Sequence, residues 1–256
     1  MPLLARPTGP KPPRRPRKAA ARVLPPIAIV GATVEAKLCG VTVTAMPEGA
    51  LWIADAKALI VSDLHLEKGS SFALRGQMLP PYDTHAVLMR LTDLMLRLSP
   101  EIIVSLGDSF HDGAGPTRMD ARDRTLLGVL MSRCDWVWVE GNHDGRAPET
   151  LGGAVRDALH LGALVLRHEP TDGAAPGEIA GHLHPCAKVA GRGGSVRKRC
   201  FALGDDRMVM PAFGAFTGGL NVCDHAFAPI FPDGATALVL ARDKVLPAPA
   251  QRLLPD

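Results

Sequence analysis

Short apolar runs that end in polar residues are the most regular feature of the chain. The runs, each with the residues that follow it, are 58–62 before Asp63-Leu64-His65, 102–106 before Gly107-Asp108, and 136–140 before Gly141-Asn142-His143-Asp144. Apolar runs of about five residues predict buried strands. Because open α/β sheets bind ligands beyond the carboxyl ends of their strands, we expect these polar groups to lie together.

Helical periodicity fills the gaps between the apolar runs. The apolar residues between 87 and 98 recur at helical spacing, which predicts a helix capped by Asp83 or Thr84. Two further helices are predicted, a longer one near 118–133 and a short one near 149–158. The first half of the chain therefore alternates strands and helices.

Short strands separated by glycine and proline dominate the second half. The strands predicted there are 163–167, 178–182, 187–190, 196–202, 208–212 and 236–241. Two further strands, 41–45 and 51–54, are predicted before the first apolar run. Alternating β and α elements followed by a β-rich half predict an α/β protein. Its two sheets would pack face to face, with helices on the outside.

Composition indicates one globular domain with a basic segment before it. Only 46% of the 256 residues are hydrophobic, and no apolar run reaches the roughly 18 residues of a membrane span. Five cysteines without a C-x-x-C pair are typical of reduced thiols, so we expect a cytoplasmic protein.

The charge is distributed unevenly along the chain. Residues 1–34 hold seven basic side chains and no acidic one. Residues 35–256 hold 22 basic and 26 acidic side chains, which gives this part a net charge of −4.

The basic segment is also rich in proline, which interrupts helices and strands. We therefore predict a disordered tail over residues 1–34 and one domain over residues 35–256. The tail is either a loose nucleic-acid contact or simply a solvated terminus. We favour the second interpretation, with some non-specific affinity for phosphate.

Eight polar residues are candidates for a metal-dependent site. They are Asp63, His65, Asp108, Asn142, His143, His168, His182 and His184, which include five of the nine histidines. Glycine precedes Asp108, Asn142 and His182, and glycine permits a tight turn and a close backbone approach. Each motif alone is weak, but their combination indicates a metal or catalytic role. His182 and His184, two positions apart, would share one face of a strand.

The residue types narrow the choice of metal. Carboxylate, imidazole and amide oxygen suit Mn²⁺, Fe or Zn²⁺ better than Ca²⁺, and the set contains no cysteine of a structural zinc site. Two such cations a few ångströms apart clamp a phosphate and activate a water for in-line attack on phosphorus. His143 would then protonate the leaving oxygen or neutralise charge, oriented by Asp63 or Asp144.

The ordered set D-x-H, G-D, G-N-H-D, H and G-H-x-H resembles that of the calcineurin-like metallophosphoesterases. This resemblance spans residues 58–185 and implies a four-layer α/β fold, a β-sandwich of two mixed sheets flanked by helices. It implies two divalent ions, with manganese as the expected metal and zinc or iron as alternatives. The implied ligands are Asp63, His65, Asp108 and His184 for one ion, and Asp108, Asn142, His168 and His182 for the other. Asp108 would bridge both ions, and His143 would be the catalytic histidine.

A narrower resemblance is to the ligase-associated DNA-damage-response endonucleases (PdeM-like). The stretches that carry it are 63–72, 79–84, 107–112, 167–170, 181–185 and 211–221. The resemblance covers nearly everything after residue 35. It implies a bacterial DNA-repair phosphoesterase encoded near a DNA ligase, a helicase and an exonuclease, which are its expected partners.

The predicted function is thus a two-metal DNA phosphodiesterase or endonuclease that uses a metal-bridging hydroxide. Two alternatives stay open: a phosphatase or nucleotide phosphodiesterase for small molecules, and a scaffold with a degenerate site. The intact ligand set argues against the scaffold. Comparing monoester with diester hydrolysis separates the remaining two.

Other residues near the motifs have two interpretations each. Lys68 and Arg75 either bind a flanking phosphate or belong to a solvated loop. His111 either contacts substrate or supports the site, or it is a turn residue. Asp112 falls one place later than in the G-D-x-x-D pattern of many relatives, which puts a supporting role for it in question.

Overall fold

The structure is a computed structural model that describes residues 26–144, 147–191 and 193–256. Two β-sheets, of eight and nine strands, pack face to face and form the body of the protein. Most of the predicted tail, residues 1–25, lies outside the described residues, so its disorder stays a prediction. No helix in the described part is both long and apolar enough to span a membrane.

The first sheet contains the strands that precede the three polar motifs. Its strands, in spatial as well as chain order, are β1 Ile27–Val30, β2 Thr33–Leu38, β3 Val41–Ala45, β4 Leu51–Ile53, β5 Ala58–Ser62, β6 Ile102–Leu106, β7 Asp135–Val139 and β8 Ala154–Arg156. Neighbours are antiparallel from β1 to β5 and parallel from β5 to β8. The carboxyl ends of β5, β6 and β7 therefore meet at one edge.

Within the described residues, four α-helices connect the strands of the first sheet. They are α1 Lys68–Leu74, α2 Asp83–Leu98, α3 Gly115–Arg118 and α4 Ala121–Met131. Leu91 of α2 and Leu127 of α4 pack in one cluster with Leu59, Val61 and Trp138, which project from the outer face of the sheet. Residues 58 and 60 of β5 point the other way, toward the second sheet. This alternation explains why β5 is apolar throughout.

The second sheet holds the remaining strands. They are β9 Ala158–Leu161, β10 Leu164–Arg167, β11 Glu178–Ala180, β12 Cys186–Gly191, β13 Gly194–Leu203, β14 Met208–Val209, β15 Thr236–Leu240, β16 Val245–Ala248 and β17 Leu253–Leu254. The main path runs β16-β15-β13-β14-β11-β10-β9, and β12 pairs with β13 and β17. Parallel pairing of β10 with β11 places His168 and Gly181 side by side at their ends.

The main core lies between the sheets, where Leu38, Ile60 and Leu106 face Leu166 and Phe201. A third cluster covers the outer face of the second sheet. There Phe227, from the 3-10 helix His225–Phe227, and Phe231 pack with Val209. The two mixed sheets with flanking helices confirm the predicted fold class.

Three local predictions differ from the structure. Residues 27–34, assigned to the tail, already contain β1 and the start of β2. The helix predicted near 149–158 is instead a 3-10 helix, Ala147–Thr150, followed by β8. Gly152 and Gly153 lie between them with φ of 86° and 83°, a conformation that ends a helix.

The predicted cap of α2 is also wrong. The helix begins at Asp83, and no side-chain hydrogen bond caps it. Asp83 instead accepts from the Gly69 backbone N–H at 2.8 Å, and Thr84 accepts from that of Glu67 at 2.8 Å. Both side chains therefore hold the loop and short helix that follow the first motif.

Candidate metal centre

Seven of the candidate residues converge where the carboxyl ends of β5, β6 and β7 meet the ends of β10 and β11. They form two clusters of metal-ligand atoms, Asp63, His65 and His184 in one, and Asp108, His168 and His182 in the other, with Asn142 beside the second. Within each three-residue cluster the ligand atoms lie within 4.8 Å of one another. The strand ends thus bring together residues more than a hundred positions apart.

The first cluster centres on the buried Asp63 carboxylate. Its Oδ1 lies 3.1 Å from His184 Nε2, and His184 Nε2 lies 3.4 Å from His65 Nε2. Ligand atoms that share one cation at about 2.0–2.2 Å are about 3–4 Å apart, so this spacing fits a bound ion. Ser62 Oγ and the His182 backbone N–H donate to the same carboxylate and fix its orientation.

The second cluster joins an amide oxygen to two imidazoles. Asn142 Oδ1 lies 2.9 Å from His168 Nε2 and 3.1 Å from His182 Nδ1. His168 Nδ1 lies 3.0 Å from the Leu106 carbonyl oxygen, to which it donates, so Nε2 is left free for a metal. The buried backbone of β6 therefore sets the tautomer of this histidine.

Asp108 belongs to the second cluster and also approaches the first. Its Oδ1 lies 3.5 Å from His168 Nε2, and its Oδ2 lies 3.9 Å from His65 Nε2. One carboxylate oxygen of Asp108 therefore faces His168 in the second cluster, and the other faces His65 in the first cluster. The His143 backbone N–H also donates to Asp108 Oδ1, at 2.8 Å, and ties the third motif to the second.

The glycines of the motifs allow this close packing. A β-carbon on Gly107 would lie 2.3 Å from His168 Nδ1, one on Gly141 would lie 2.1 Å from Asp108 N, and one on Gly181 would lie 1.9 Å from Ser62 Oγ. Real side-chain atoms do not approach so closely, so each glycine is required by space. This confirms the close backbone approach predicted from the sequence.

Backbone conformation at the site is unusual in a way that the sequence did not reveal. Five candidate ligands have left-handed φ angles: Asp63 (52°), His65 (43°), Asp108 (45°), His182 (67°) and His184 (46°). Such residues cost about 1–3 kcal/mol each and cluster at functional sites. The prediction that His182 and His184 share a strand face is wrong, because β11 ends at Ala180 and both lie in the loop that follows it.

A family comparison identifies the arrangement. Residues 56–187, which include every candidate ligand, match the calcineurin-like phosphoesterase family. The chain is a calcineurin-like phosphoesterase. The predicted family is thereby confirmed, and the two clusters are those of a dinuclear site for divalent metal ions in a metal-dependent hydrolase.

Among solved structures, the phosphoesterase is similar to nuclease MPE from Pseudomonas putida. The two are 27% identical over 84% of this chain and 100% of that chain, with a TM-score of 0.65. Yfce, a phosphoesterase from E. coli, is 15% identical over 74% of this chain and 96% of that chain, with a TM-score of 0.39. No curated protein matches the sequence.

Burial and neighbouring charge favour the metal-binding protonation state at three candidate ligands of the phosphoesterase, His65, His182 and Asp63. Burial lowers the pKa of His65 to about 3, and burial also lowers the pKa of His182. Burial opposes ionisation of Asp63, but the hydrogen bond and charge of His184 outweigh it and lower the pKa of that carboxyl. For His184, Asp63 outweighs burial and raises the imidazole pKa.

His143 differs from the ligands in being accessible. Its side chain is 45% exposed, whereas that of His65 is 4% exposed, and its Nε2 lies 4.0 Å from Asp108 Oδ2. The ring stacks on His111 with 5.8 Å between centroids and meets the His65 ring edge-on at 5.4 Å. The structure thus places His143 at the open side of the metal centre, with His111 behind it.

The two carboxylates predicted to orient His143 have other partners. Asp63 binds within the first cluster, and the buried Asp144 accepts from the Phe110 backbone N–H at 2.6 Å. Burial raises the pKa of Asp144 to about 6. The His143 ring packs against the rings of His111 and His65, and Asp144 supports the backbone beside the second motif.

Two further charged residues predicted near the motifs, Lys68 and Asp112, have different surroundings. Lys68 stacks over Phe72 and is close enough for its charge to lower the pKa of both His65 and His111, after the larger effect of burial. Asp112 points away from the ligands and forms two 2.9 Å hydrogen bonds with Arg118. Asp112, which falls one place later than the aspartate of the G-D-x-x-D pattern, therefore forms a structural ion pair with Arg118.

Proposed function

We propose that the chain is a two-metal phosphodiesterase that cleaves DNA, with His143 as the catalytic histidine. The observation that carries the proposal is the placement of Asp108, whose two carboxylate oxygens each face one ligand cluster. We assign the first ion to Asp63, His65, Asp108 and His184, and the second to Asp108, Asn142, His168 and His182. The donor set of carboxylate, imidazole and amide oxygen favours Mn²⁺, with Zn²⁺ or Fe as alternatives.

When bound, the two cations supply an activated water and neutralise charge on the phosphate. The side chains supply orientation and a proton. Asp108 fixes the spacing between the two clusters, and the Leu106 carbonyl keeps His168 in the tautomer with a free Nε2. His143 holds a proton at its exposed ring and delivers it to the leaving oxygen of the substrate.

Nucleic acid is the substrate class that the comparisons favour. Nuclease MPE is similar over its whole length, and four of the stretches that resemble those of the ligase-associated endonucleases contain candidate metal ligands. A bacterial DNA-repair role in the cytoplasm, beside a ligase, a helicase and an exonuclease, extends this proposal.

The test compares three substrates at equal enzyme and metal concentrations. They are a single-stranded oligonucleotide, bis(4-nitrophenyl) phosphate and 4-nitrophenyl phosphate. A DNA phosphodiesterase cleaves the first two much faster than the monoester. Preference for the monoester would instead assign the centre to a small-molecule phosphatase.

A further inference from the structure

We propose that a basic groove beside the metal centre binds the sugar–phosphate backbone of the DNA strand next to the bond that is cleaved. This inference rests on the proposed nuclease function and adds where the strand lies. The groove is a cleft of about 910 Å³. Its basic side chains are Arg90, Arg97, Arg197, Lys198, Arg199 and Arg242, against two acidic ones, Glu48 and Asp243.

The groove adjoins the metal centre through one segment of backbone, residues 212–219. On one side, the Gly214 N–H donates to the Asp63 carbonyl at 3.1 Å, and the His184 ring is hydrogen-bonded to Gly218. On the other side, Gly218 and Gly219 line the groove. One layer of peptide therefore separates the groove from two candidate ligands, so a strand with one phosphate at the metals reaches the groove within a few nucleotides.

Two arginines are held in place at the base of the groove. Arg90 donates to the Phe213 carbonyl and Arg199 to the Ala212 carbonyl, each at 2.6 Å. The Arg90 guanidinium also lies over the Phe213 ring, 4.6 Å from its centroid. These contacts fix both guanidinium groups in position and leave most of their five N–H donors free.

Among the described residues, neither arginine forms an ion pair, and the charge of Glu48 acts on Arg90 only from a longer distance. Within the described ranges, no carboxylate lies within 4.0 Å of either guanidinium. Burial lowers the pKa of both, and the charge of Arg199 further lowers that of Arg90, to about 10, so both stay cationic at neutral pH. Two partly buried like charges held near each other indicate a site for an anion.

Charge distribution favours a polyanion over a single small anion. The domain is acidic overall, with a net charge of −4 over residues 35–256, yet six of its 22 basic side chains line this groove. Two of the six are ion-paired, Arg97 with Glu48 and Arg197 with Asp256, which leaves four without an ion pair among the described residues. Lys198 and Arg242 are exposed at its surface, where they extend the basic track beyond the fixed arginines. A phosphodiester strand, with one charge per nucleotide, matches a track of separate cations that leads to a phosphate-cleaving centre.

The test removes the two exposed charges, because Arg90 and Arg199 also hold the 212–219 segment. The variant is Lys198→Gln/Arg242→Gln, and the matched control is Arg122→Gln/Arg133→Gln, two exposed arginines near the ends of α4 that do not line the groove. Both holoenzymes are assayed on a long single-stranded oligonucleotide and on bis(4-nitrophenyl) phosphate. Binding is measured by fluorescence anisotropy of a phosphorothioate oligonucleotide at several salt concentrations.

The groove variant should bind the oligonucleotide about tenfold more weakly at physiological salt. The slope of log K against log salt should be shallower by about 1.4, the loss of two contacts to a single strand. The ratio of kcat/KM on the oligonucleotide to kcat/KM on the small diester should fall by the same factor. The control variant should match the wild type in both measurements.

An unchanged salt slope in the groove variant, while the wild type cleaves oligonucleotides, would overturn this inference alone. A wild-type holoenzyme that hydrolyses the small diester but no oligonucleotide would overturn the proposed function as well. Polyglutamate is the probe for an acidic protein partner. If it binds through Lys198 and Arg242 and DNA does not, the groove belongs to such a partner and the inference is wrong.

Discussion

Gly141 packs so closely against Asp108 that a β-carbon on Gly141 would lie 2.1 Å from the Asp108 backbone nitrogen and 2.4 Å from its Oδ1. Gly141→Ala should therefore displace the carboxylate that faces both clusters. We expect metal content to fall below two ions per chain and activity to fall at least about tenfold, the effect of misplacing a catalytic group by a fraction of an ångström. Metal analysis after gel filtration and kcat on bis(4-nitrophenyl) phosphate are the measurements.

The control for this substitution is Gly128→Ala. Gly128 lies within α4, and no atom within 4 Å would meet its β-carbon. Alanine there should leave both ions and the rate intact, and should stabilise the helix by up to about 1 kcal/mol. Equal metal content in Gly141→Ala and wild type would contradict the steric argument.

The sequence predicted the site better than it predicted the turns that build it. Apolar runs located β5, β6 and β7 because strands buried on both faces contain little else, and the glycines indicated close approach. The left-handed conformations of Asp63 and His182 left no signal, because only the surrounding packing maintains them. The helix Lys68–Leu74 was not predicted, since it is short and is held by contacts from Asp83.

Asp108→Asn should be more damaging than loss of a ligand to a single ion. An amide offers one oxygen donor where the carboxylate offers two, so one of the two clusters loses its shared ligand. We expect one ion or none per chain and a rate below that of His65→Ala. Retention of two ions with a rate near that of the wild type would show that Asp108 does not bridge them.

Metal removal should abolish hydrolysis, and Mn²⁺ should restore it best. The centre contains only carboxylate, imidazole and amide donors, which suit Mn²⁺ better than Ca²⁺. The measurement is kcat after exhaustive chelation and addition of Mn²⁺, Zn²⁺, Fe²⁺ or Ca²⁺, with metal content determined in each sample. Full turnover in a sample shown to be metal-free would contradict the two-metal proposal.

The Asp112–Arg118 ion pair should make a pH-dependent contribution to stability. Desolvation opposes ionisation of Asp112, but hydrogen bonds from Arg118 and Ser71 outweigh it and lower its pKa from 3.8 to about 2. A lowered carboxyl pKa stabilises the fold above pH 3.8, and that stability is lost as the pH falls toward 2. Asp112→Asn should thus cost about 1 kcal/mol at pH 7, because the pair is partly exposed.

Urea unfolding of the wild type and Asp112→Asn between pH 3 and pH 7 measures this contribution. The difference in the free energy of unfolding should be constant above about pH 5 and shrink below pH 4. Asp93→Asn, on the exposed side of α2, is a matched control for loss of one acidic charge. A difference that is the same at every pH would show that the ion pair is not its source.

His143→Ala should keep both metal ions and lose rate. The contact between His143 and Asp108 Oδ1 uses the backbone N–H, which alanine retains, and the imidazole itself is accessible at the open side of the centre. Loss of a general acid usually costs about 10²–10⁴-fold. The loss should be smaller for bis(4-nitrophenyl) phosphate than for DNA, because nitrophenolate leaves without a proton and a sugar oxygen needs one. The measurements are metal content and kcat on both substrates.

His111→Ala, which removes the ring stacked on His143, should show the same dependence on the leaving group with a smaller loss of rate. If His143→Ala loses an ion or slows both substrates equally, then His143 is a ligand or an electrostatic contact, and the proton comes from elsewhere.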